Sequence, residues 1–81
     1  MTKSIFTNNY QLLLKLLVET RKKAGITQQE LAKKLGKNQS YISKYENSER
    51  RLDMIEVIAI VKAMGANPSD LMQNILKEWK E

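Results

Sequence analysis

The stretch ITQQELAKKLGKNQSYISKYEN, residues 26–47, predicts two short helices joined by a tight turn. Thr27 and Glu30 have the spacing of a capping box, in which each side chain accepts a hydrogen bond from the other residue's backbone amide. Gly36 stands where a left-handed residue ends a helix without a side-chain clash. The first helix of the pair is therefore expected between these two signals.

The second helix of the pair is predicted to run from about Gln39 to Glu46, with Asn38 as its N-cap. Ile42 and Tyr45, three residues apart, give it one buried face. Its exposed side carries polar side chains of the kind that hydrogen-bond to base edges in the major groove of DNA. The candidate base-reading residues are Gln39, Ser40, Ser43 and Lys44. The alternative is that they form an ordinary solvated helix surface.

This segment resembles the helix-turn-helix of the Xre family, which includes Cro and the phage repressors. The resemblance extends over roughly residues 10–72 of the chain. Five spaced positions carry it together: Gln28, Ala32, Gly36, Ile42 and Tyr45. The run YISKYEN, followed by basic residues, is also similar to that family. One departure is Ser48, because the family often has glycine at this point.

The resemblance implies an all-α fold, a compact five-helix bundle of the lambda-repressor-like DNA-binding type with the helix-turn-helix at helices 2 and 3. It also implies a sequence-specific, double-stranded DNA-binding transcriptional regulator. Such a protein would be a repressor or autoregulator that acts as a homodimer on an inverted repeat. Small members of the family include phage regulators and the controller proteins of restriction–modification systems, and the chain is similar to both kinds.

A second set of residues is expected to contact DNA phosphates, which set position and affinity rather than sequence choice. Gln28 opens its helix at a positive helix end, and the resemblance gives it a phosphate role. The other candidates are Asn38, Tyr41, Asn47, Arg50 and Arg51. Asn38 also serves as a cap, Tyr41 could be a partly buried core residue, and the two arginines could be solvated charge.

Glycines and helix caps predict three further helices, which makes five helices and no strand. The first runs from about Asn9 to Ala24. The fourth lies between Asp53 and Gly65, and the fifth begins at Pro68. Because the fourth helix is apolar almost all round, we expect it to be central and buried.

The fifth helix has an apolar stripe wider than one contact within a bundle requires. We expect part of it to pack on helices 1 and 4 and the rest to form a two-fold dimer interface. The candidate interface residues are Leu71, Ile75, Leu76 and Trp79. Leu12 and Leu16 on the first helix form another apolar flank, which could equally pack against the N-terminal residues.

Composition narrows the class of protein. The 81 residues contain no cysteine and no histidine, so a thiolate metal site and the commonest general acid–base side chain are both lacking. Residues 1–51 hold 11 Lys/Arg against 4 Asp/Glu, a net charge of +7, whereas residues 52–81 hold 3 against 5, a net charge of −2. A basic half that contains the predicted reading helix favours a polyanionic partner. We expect no cofactor and no small-molecule ligand.

The domain organisation is expected to be simple. Residues 9–81 are predicted to form one DNA-binding domain with a C-terminal dimerisation helix, preceded by an N-terminal arm of residues 1–8. Ile5 and Phe6 in the arm could pack on the bundle or stay free of it. No apolar run approaches the ~18 residues of a membrane span, and no signal-peptide h-region is present. We therefore expect a cytoplasmic protein without a membrane partner.

Two other functions are the alternatives to a regulator. An antitoxin-type interaction protein would use the same fold, bind DNA and mask a partner protein, and it would need a dedicated surface in residues 71–81. An enzyme is not expected, because no glycine-rich phosphate loop or clustered carboxylate pair is present. Acidic residues such as Glu30 and Asp53 instead have positions typical of helix caps.

Overall fold

The computed structural model describes residues 7–81, and these form five helices and no strand. The prediction of an all-α, five-helix fold is confirmed. In this part of the chain no helix has the length and apolarity needed to cross a bilayer. The helices are α1 (Asn8–Lys23), α2 (Gln28–Leu35), α3 (Gln39–Glu46), α4 (Met54–Ala63) and α5 (Pro68–Lys77).

The first helix begins one residue earlier than predicted. Asn8 was assigned to the arm, but it is the first residue of α1. The cause is Thr7, whose hydroxyl accepts the backbone amide of Tyr10 at 3.2 Å and so caps the helix one residue earlier. Residues 1–6, including Ile5 and Phe6, lie outside the described residues.

The helix-turn-helix pair is built by local caps where the sequence predicts them. Thr27 and Glu30 exchange both bonds of a capping box, at 2.9 and 3.0 Å. The backbone amide of Thr27 lowers the pKa of the Glu30 carboxyl. Gly36 ends α2 at a φ of 69°, in the left-handed region, so the chain turns sharply into α3. Asn38 accepts the amide of Tyr41 at 3.3 Å and begins α3.

Ser48 takes a left-handed conformation in place of the glycine that is common in the family, with a φ of 63°. Its amide donates to the Tyr45 carbonyl, and the next amide, of Glu49, donates to the Lys44 carbonyl at 2.7 Å. These two bonds close the end of α3 as a glycine would. Gln11 of α1 donates to the Ser48 hydroxyl at 3.0 Å, which fixes the start of the loop after α3.

Apolar side chains from all five helices meet in one core. α2 and α3 pack closely on each other, α1 lies against α3 and α5, and α4 lies between α2 and α5. The side chains with almost no exposure are those of Leu17, Leu31, Ile42, Tyr45, Ile60 and Val61. The two buried residues of α3 are thus the predicted pair, which turns the opposite side of that helix to solvent.

The prediction that α4 is central and buried is wrong for its first half. Ile60 and Val61 are buried, but Met54 is 67% exposed and Ile55 is 73% exposed. Ile58 is also exposed. The reason is that the neighbouring helices cover only one side of α4, and its composition alone does not tell an internal face from an external one.

Trp79 was predicted on the fifth helix, but α5 ends at Lys77 and Trp79 lies in the tail that follows. The tail is held by Asn9 of α1, whose side-chain amide donates to the Lys80 carbonyl and accepts the Lys80 amide, each at 2.9 Å. This two-bond contact joins the two ends of the described chain and fixes the backbone next to Trp79.

Candidate nucleic-acid interface

The predicted base-reading residues lie on the solvent side of α3. Gln39, Ser40 and Lys44 are exposed, whereas Ser43 is half-buried. Their backbone is rigidly held, because Ile42 and Tyr45 on the same helix are fully buried. The structure therefore presents one short helix with three exposed polar side chains and a fixed orientation. Whether these residues read bases stays a prediction.

The first residues of α2 and α3 are joined to each other. Gln39 donates from its side-chain amide to the side-chain carbonyl of Gln28 at 3.3 Å. Gln28 in turn donates to the carboxylate of Glu46 at 2.8 Å. Gln28 is therefore not a free side chain at a helix end, and its contacts orient Gln39. The second hydrogen on the Gln28 amide nitrogen is still available to an acceptor.

Glu46, which accepts the Gln28 bond, also forms a buried ion pair. Arg21 of α1 donates to both oxygens of Glu46, at 2.8 and 3.1 Å, and to the Ile26 carbonyl at 2.9 Å. The hydrogen bond to Glu46 raises the pKa of the Arg21 guanidinium, and burial opposes the rise. A chain of hydrogen bonds thus runs from α1 through Glu46 and Gln28 to Gln39.

Neither Arg21 nor Glu46 was predicted to be a site residue. A signal for both was present. Arg21 is seven residues after Leu14 and four after Leu17, which places a cation on the buried stripe of α1. A buried cation requires an acidic partner. Only the fold identifies that partner as a residue 25 positions away.

The hydroxyl groups near the start of α3 are already engaged. Ser40 donates to the Asn38 side-chain oxygen at 2.6 Å, so its proton is used within the helix cap. Asn47 donates to the Ser43 hydroxyl at 3.3 Å. Asn38 combines the predicted cap with an exposed amide group. Gln39 and Lys44, in contrast, are exposed and form no bond with Asn38 or Asn47.

Tyr41 lies at the centre of a charged cluster that includes α4. Its hydroxyl donates to Glu56 at 2.9 Å, and Arg50 donates to the same carboxylate oxygen at 2.8 Å. The Arg50 guanidinium also stacks over the Tyr41 ring at 4.9 Å, and the Lys37 ammonium lies 5.3 Å from the ring centre. Burial and the bond to Glu56 raise the pKa of Tyr41 to about 12, so its hydroxyl keeps its proton.

Arg50 and Arg51, both predicted to contact DNA phosphates, lie against different helices. Arg50 lies against Tyr41 of α3, whereas the Arg51 guanidinium lies 4.7 Å from the ring centre of Tyr10 on α1. The Tyr10 hydroxyl accepts the buried amide of Leu52 at 2.9 Å, which fixes the loop that carries both arginines. The structure therefore brings Arg50, but not Arg51, into contact with the reading helix.

The predicted interface residues differ in exposure. Leu71 is buried and Ile75 is half-buried, so both pack within the protomer, whereas Leu76 and Trp79 are 63% and 49% exposed. Further apolar side chains are exposed on α4, where burial was predicted, and at Met72 of α5, which was not among the predicted interface residues. We call the whole set the apolar face, which consists of Met54, Ile55, Ile58, Met72, Leu76 and Trp79.

Comparison with known proteins identifies the class to which this geometry belongs. A family model described as helix-turn-helix matches residues 17–71. The chain is 47% identical to an XRE-family like protein from Pseudomonas syringae pv. tomato str. DC3000, with a TM-score of 0.85. That match covers 89% of this chain and 88% of the other. No curated protein matches the sequence.

Two structures of the restriction–modification controller protein C.Esp1396I share the fold at 24% identity, and the matches cover 89% of this chain and 95% of theirs. The TM-score is 0.79 for the tetramer in complex with its natural 35 base-pair operator and 0.80 for the wild-type protein. The chain therefore belongs to the Xre family of helix-turn-helix, DNA-binding regulators. The comparisons give no support to the antitoxin alternative.

Proposed function

We propose that the chain is a sequence-specific transcriptional regulator of double-stranded DNA, a repressor or autoregulator that acts as a homodimer on an inverted repeat. The observation that carries the proposal is the exposed first turn of α3, where Gln39 is held by Gln28. A helix that presents a fixed amide to solvent is suited to the major groove. The mechanism is occupancy of DNA in the cytoplasm, without a chemical step.

Base reading is assigned to α3. The Gln39 amide can pair with adenine through two hydrogen bonds, and the Lys44 ammonium can donate to guanine. Ser40 and Ser43 have less freedom, because hydrogen bonds to Asn38 and Asn47 engage their hydroxyl groups. Ser40 remains a candidate hydrogen-bond acceptor, whereas Ser43 accepts from Asn47 and keeps its own proton to donate.

Phosphate contact is assigned to the rim of the helix pair. Gln28 offers its second amide hydrogen and the N-terminal end of α2. The other proposed contacts are Asn38, Tyr41, Asn47, Arg50 and Arg51. The basic charge of residues 1–51 favours the same partner, because each phosphate neutralised by a cation releases counterions.

A second copy of the chain is proposed to cover the apolar face. The six exposed apolar side chains lie on α4, on the α5 helix that packs against it and in the tail after α5. Monomeric proteins seldom expose large apolar patches. Leu71 and Ile75 support the surface from beneath rather than forming it. A two-fold dimer would place two copies of α3 on half-sites about one helical turn, ~34 Å, apart. The controller protein with the same fold is a tetramer on its own operator.

Selection of bound duplexes from a random DNA pool tests this function, with the number of chains per duplex measured on the enriched site. We expect enrichment of an inverted repeat that binds two chains. An enriched site without two-fold symmetry would contradict the dimer mechanism. A pool that stays random after repeated selection would contradict sequence-specific regulation itself.

A further inference from the structure

The two oxygens of the Glu56 carboxylate have different tasks. Oε1 accepts the Asp53 amide at 3.0 Å and so caps the first turn of α4. Oε2 accepts the Tyr41 hydroxyl at 2.9 Å and the Arg50 Nη2 at 2.8 Å. The capping of α4 accounts for the role of Oε1. The other engages two residues that are proposed to meet DNA phosphates.

Arg50 is held where it would meet the DNA backbone. Its guanidinium stacks on Tyr41, which is in the first turn of α3 and next to Ser40 in the base-reading set. Its Nη1 also donates to the Arg51 carbonyl at 3.3 Å. A helix end inserted into the major groove is flanked by phosphates on both strands. The cation is thus positioned at the rim of the proposed interface.

Glu56 offers these donors the same chemistry as a phosphate. Both groups present anionic oxygens that form charge-assisted hydrogen bonds with a guanidinium and a hydroxyl. Tyr41 has one proton to donate, and it is committed to the carboxylate. A DNA phosphate must therefore displace Glu56, or share Arg50 with it, before it gains either contact.

We propose, on the basis of the function proposed above, that Glu56 is an internal competitor of DNA phosphate for Arg50 and Tyr41. It limits the part of the affinity that does not depend on sequence, while the base contacts of α3 are unaffected. It acts through Arg50 and Tyr41 and is a positioning residue rather than a DNA contact.

The variant that tests this role is Glu56→Gln. Glutamine at the same position of a capping box still accepts the Asp53 amide through its carbonyl oxygen. Its amide nitrogen is a donor and cannot bind the Arg50 guanidinium. The substitution therefore keeps the cap of α4 and releases Arg50.

Glu30→Gln is the matched control. Glu30 has the same capping-box position in α2 and accepts the Thr27 amide at 2.9 Å. It forms no ion pair with an arginine in the described residues. This variant removes the same charge from the helix-turn-helix without freeing a guanidinium, so it measures the general electrostatic effect alone.

The measurement is the affinity of the full chain for a random-sequence duplex between 50 and 200 mM salt, with helicity followed by circular dichroism. We expect Glu56→Gln to bind more tightly than Glu30→Gln. The slope of log K against log salt should be steeper by about 0.9, the value for one added phosphate contact. The ratio of the Glu56→Gln affinity to the Glu30→Gln affinity should therefore fall about threefold over the fourfold rise in salt. In a background that lacks both donors, Arg50→Gln with Tyr41→Phe, this affinity advantage should vanish, because neither donor remains to be released.

Equal salt slopes for the two variants would overturn the inference, as would an affinity advantage that persists when both Arg50 and the Tyr41 hydroxyl are removed. If Glu56→Gln does not fold, Glu56→Ala serves instead, because Asp53 still caps the amide of residue 56 at 2.7 Å. A wild-type chain that binds no duplex would overturn the proposed function and this inference together. If the wild-type chain binds duplex but Glu56→Gln and Glu30→Gln have the same affinity and salt slope, only this inference would be overturned.

Discussion

Two buried tyrosines differ at the level of a single hydroxyl group. The Tyr10 hydroxyl accepts the buried amide of Leu52 at 2.9 Å. The Tyr45 hydroxyl is buried without a hydrogen-bond partner in residues 7–81. Burial raises the pKa of Tyr45, so this hydroxyl stays protonated. An unpaired buried polar group reduces stability, whereas a paired one supports the fold.

Tyr45→Phe is therefore expected to leave the free energy of unfolding unchanged or to raise it by up to about 1 kcal/mol. Tyr10→Phe is the matched control, and it should lower the same quantity by about 1–3 kcal/mol, because the Leu52 amide loses its acceptor. Chemical denaturation of both variants measures the difference. Equal losses in the two variants would show that the Tyr45 hydroxyl has a partner that this account lacks.

At the residue scale, the sequence predicts contacts between residues that are only a few positions apart in the chain. The capping pair of Thr27 and Glu30 is local, and it occurs as expected. The contact of Tyr41 with Glu56 spans 15 residues, and that of Asn9 with Lys80 spans 71. Such partners depend on how helices pack, so no spacing rule in the sequence could identify them.

At the scale of the helices, the Arg21–Glu46 pair connects α1 to α3, and Gln28 connects both to α2. The two charged side chains are only 10% and 7% exposed. Removing one member of a buried pair leaves the other charge without compensation. The arrangement therefore fixes α3 against the rest of the helix-turn-helix and fixes Gln39 with it.

Arg21→Met should lower the free energy of unfolding by about 3–5 kcal/mol, because the Glu46 carboxylate stays buried and unpaired. Arg50→Met breaks the more exposed pair with Glu56, where the side chains are 40% and 23% exposed. That control should lose about 1 kcal/mol or less. Thermal or chemical unfolding compares the two, and a larger loss for Arg50→Met would contradict the ranking.

The apolar face shows where an element-scale prediction fails. The composition of α4 predicts burial, and the protomer buries only one side of the helix. Hydrophobicity identifies side chains that favour burial, but it does not say whether the same chain or a second copy buries them. The exposure of Ile55 and Leu76 follows only from the packing of the five helices.

Leu76→Lys should shift the protein from dimer toward monomer, because the interface would have to bury an unpaired charge in each copy. We expect at least a tenfold weaker association, or ~1.4 kcal/mol. Asn74→Lys adds the same charge at an exposed position of the same helix and is the control. Sedimentation over a range of concentrations measures both. A Leu76→Lys protein as dimeric as the Asn74→Lys protein would place the interface elsewhere.

At the scale of the whole molecule, the two proposed tasks divide along the chain. The segment with net charge +7 contains α1, α2 and α3, and the segment with net charge −2 contains α4 and α5. The proposed DNA reading and the proposed pairing with a second copy would thus use different helices. The loop between the segments carries Arg50, whose contacts with Tyr41 and Glu56 connect the two parts.

The fold and the family could be predicted from the sequence because the caps, the turn glycine and the helical periodicity agree with one another. The interface is less predictable. Gln39 and Lys44 follow from the helix geometry, but the bond that orients Gln39 depends on the close approach of α2 and α3. The DNA sequence that α3 would prefer depends further on the shape and deformability of the duplex.

The central claim is that α3 reads bases, and the ratio of affinities for the selected site and for random duplex tests it most directly. Each good two-bond base contact contributes roughly 1–3 kcal/mol, so Gln39→Ala with Lys44→Ala should lower this ratio at least about tenfold. Gln29→Ala with Lys33→Ala makes the same changes at exposed positions of α2 and should preserve it. If the Gln39 and Lys44 variant lost affinity for both duplexes by the same factor, the claim that α3 reads bases would be wrong.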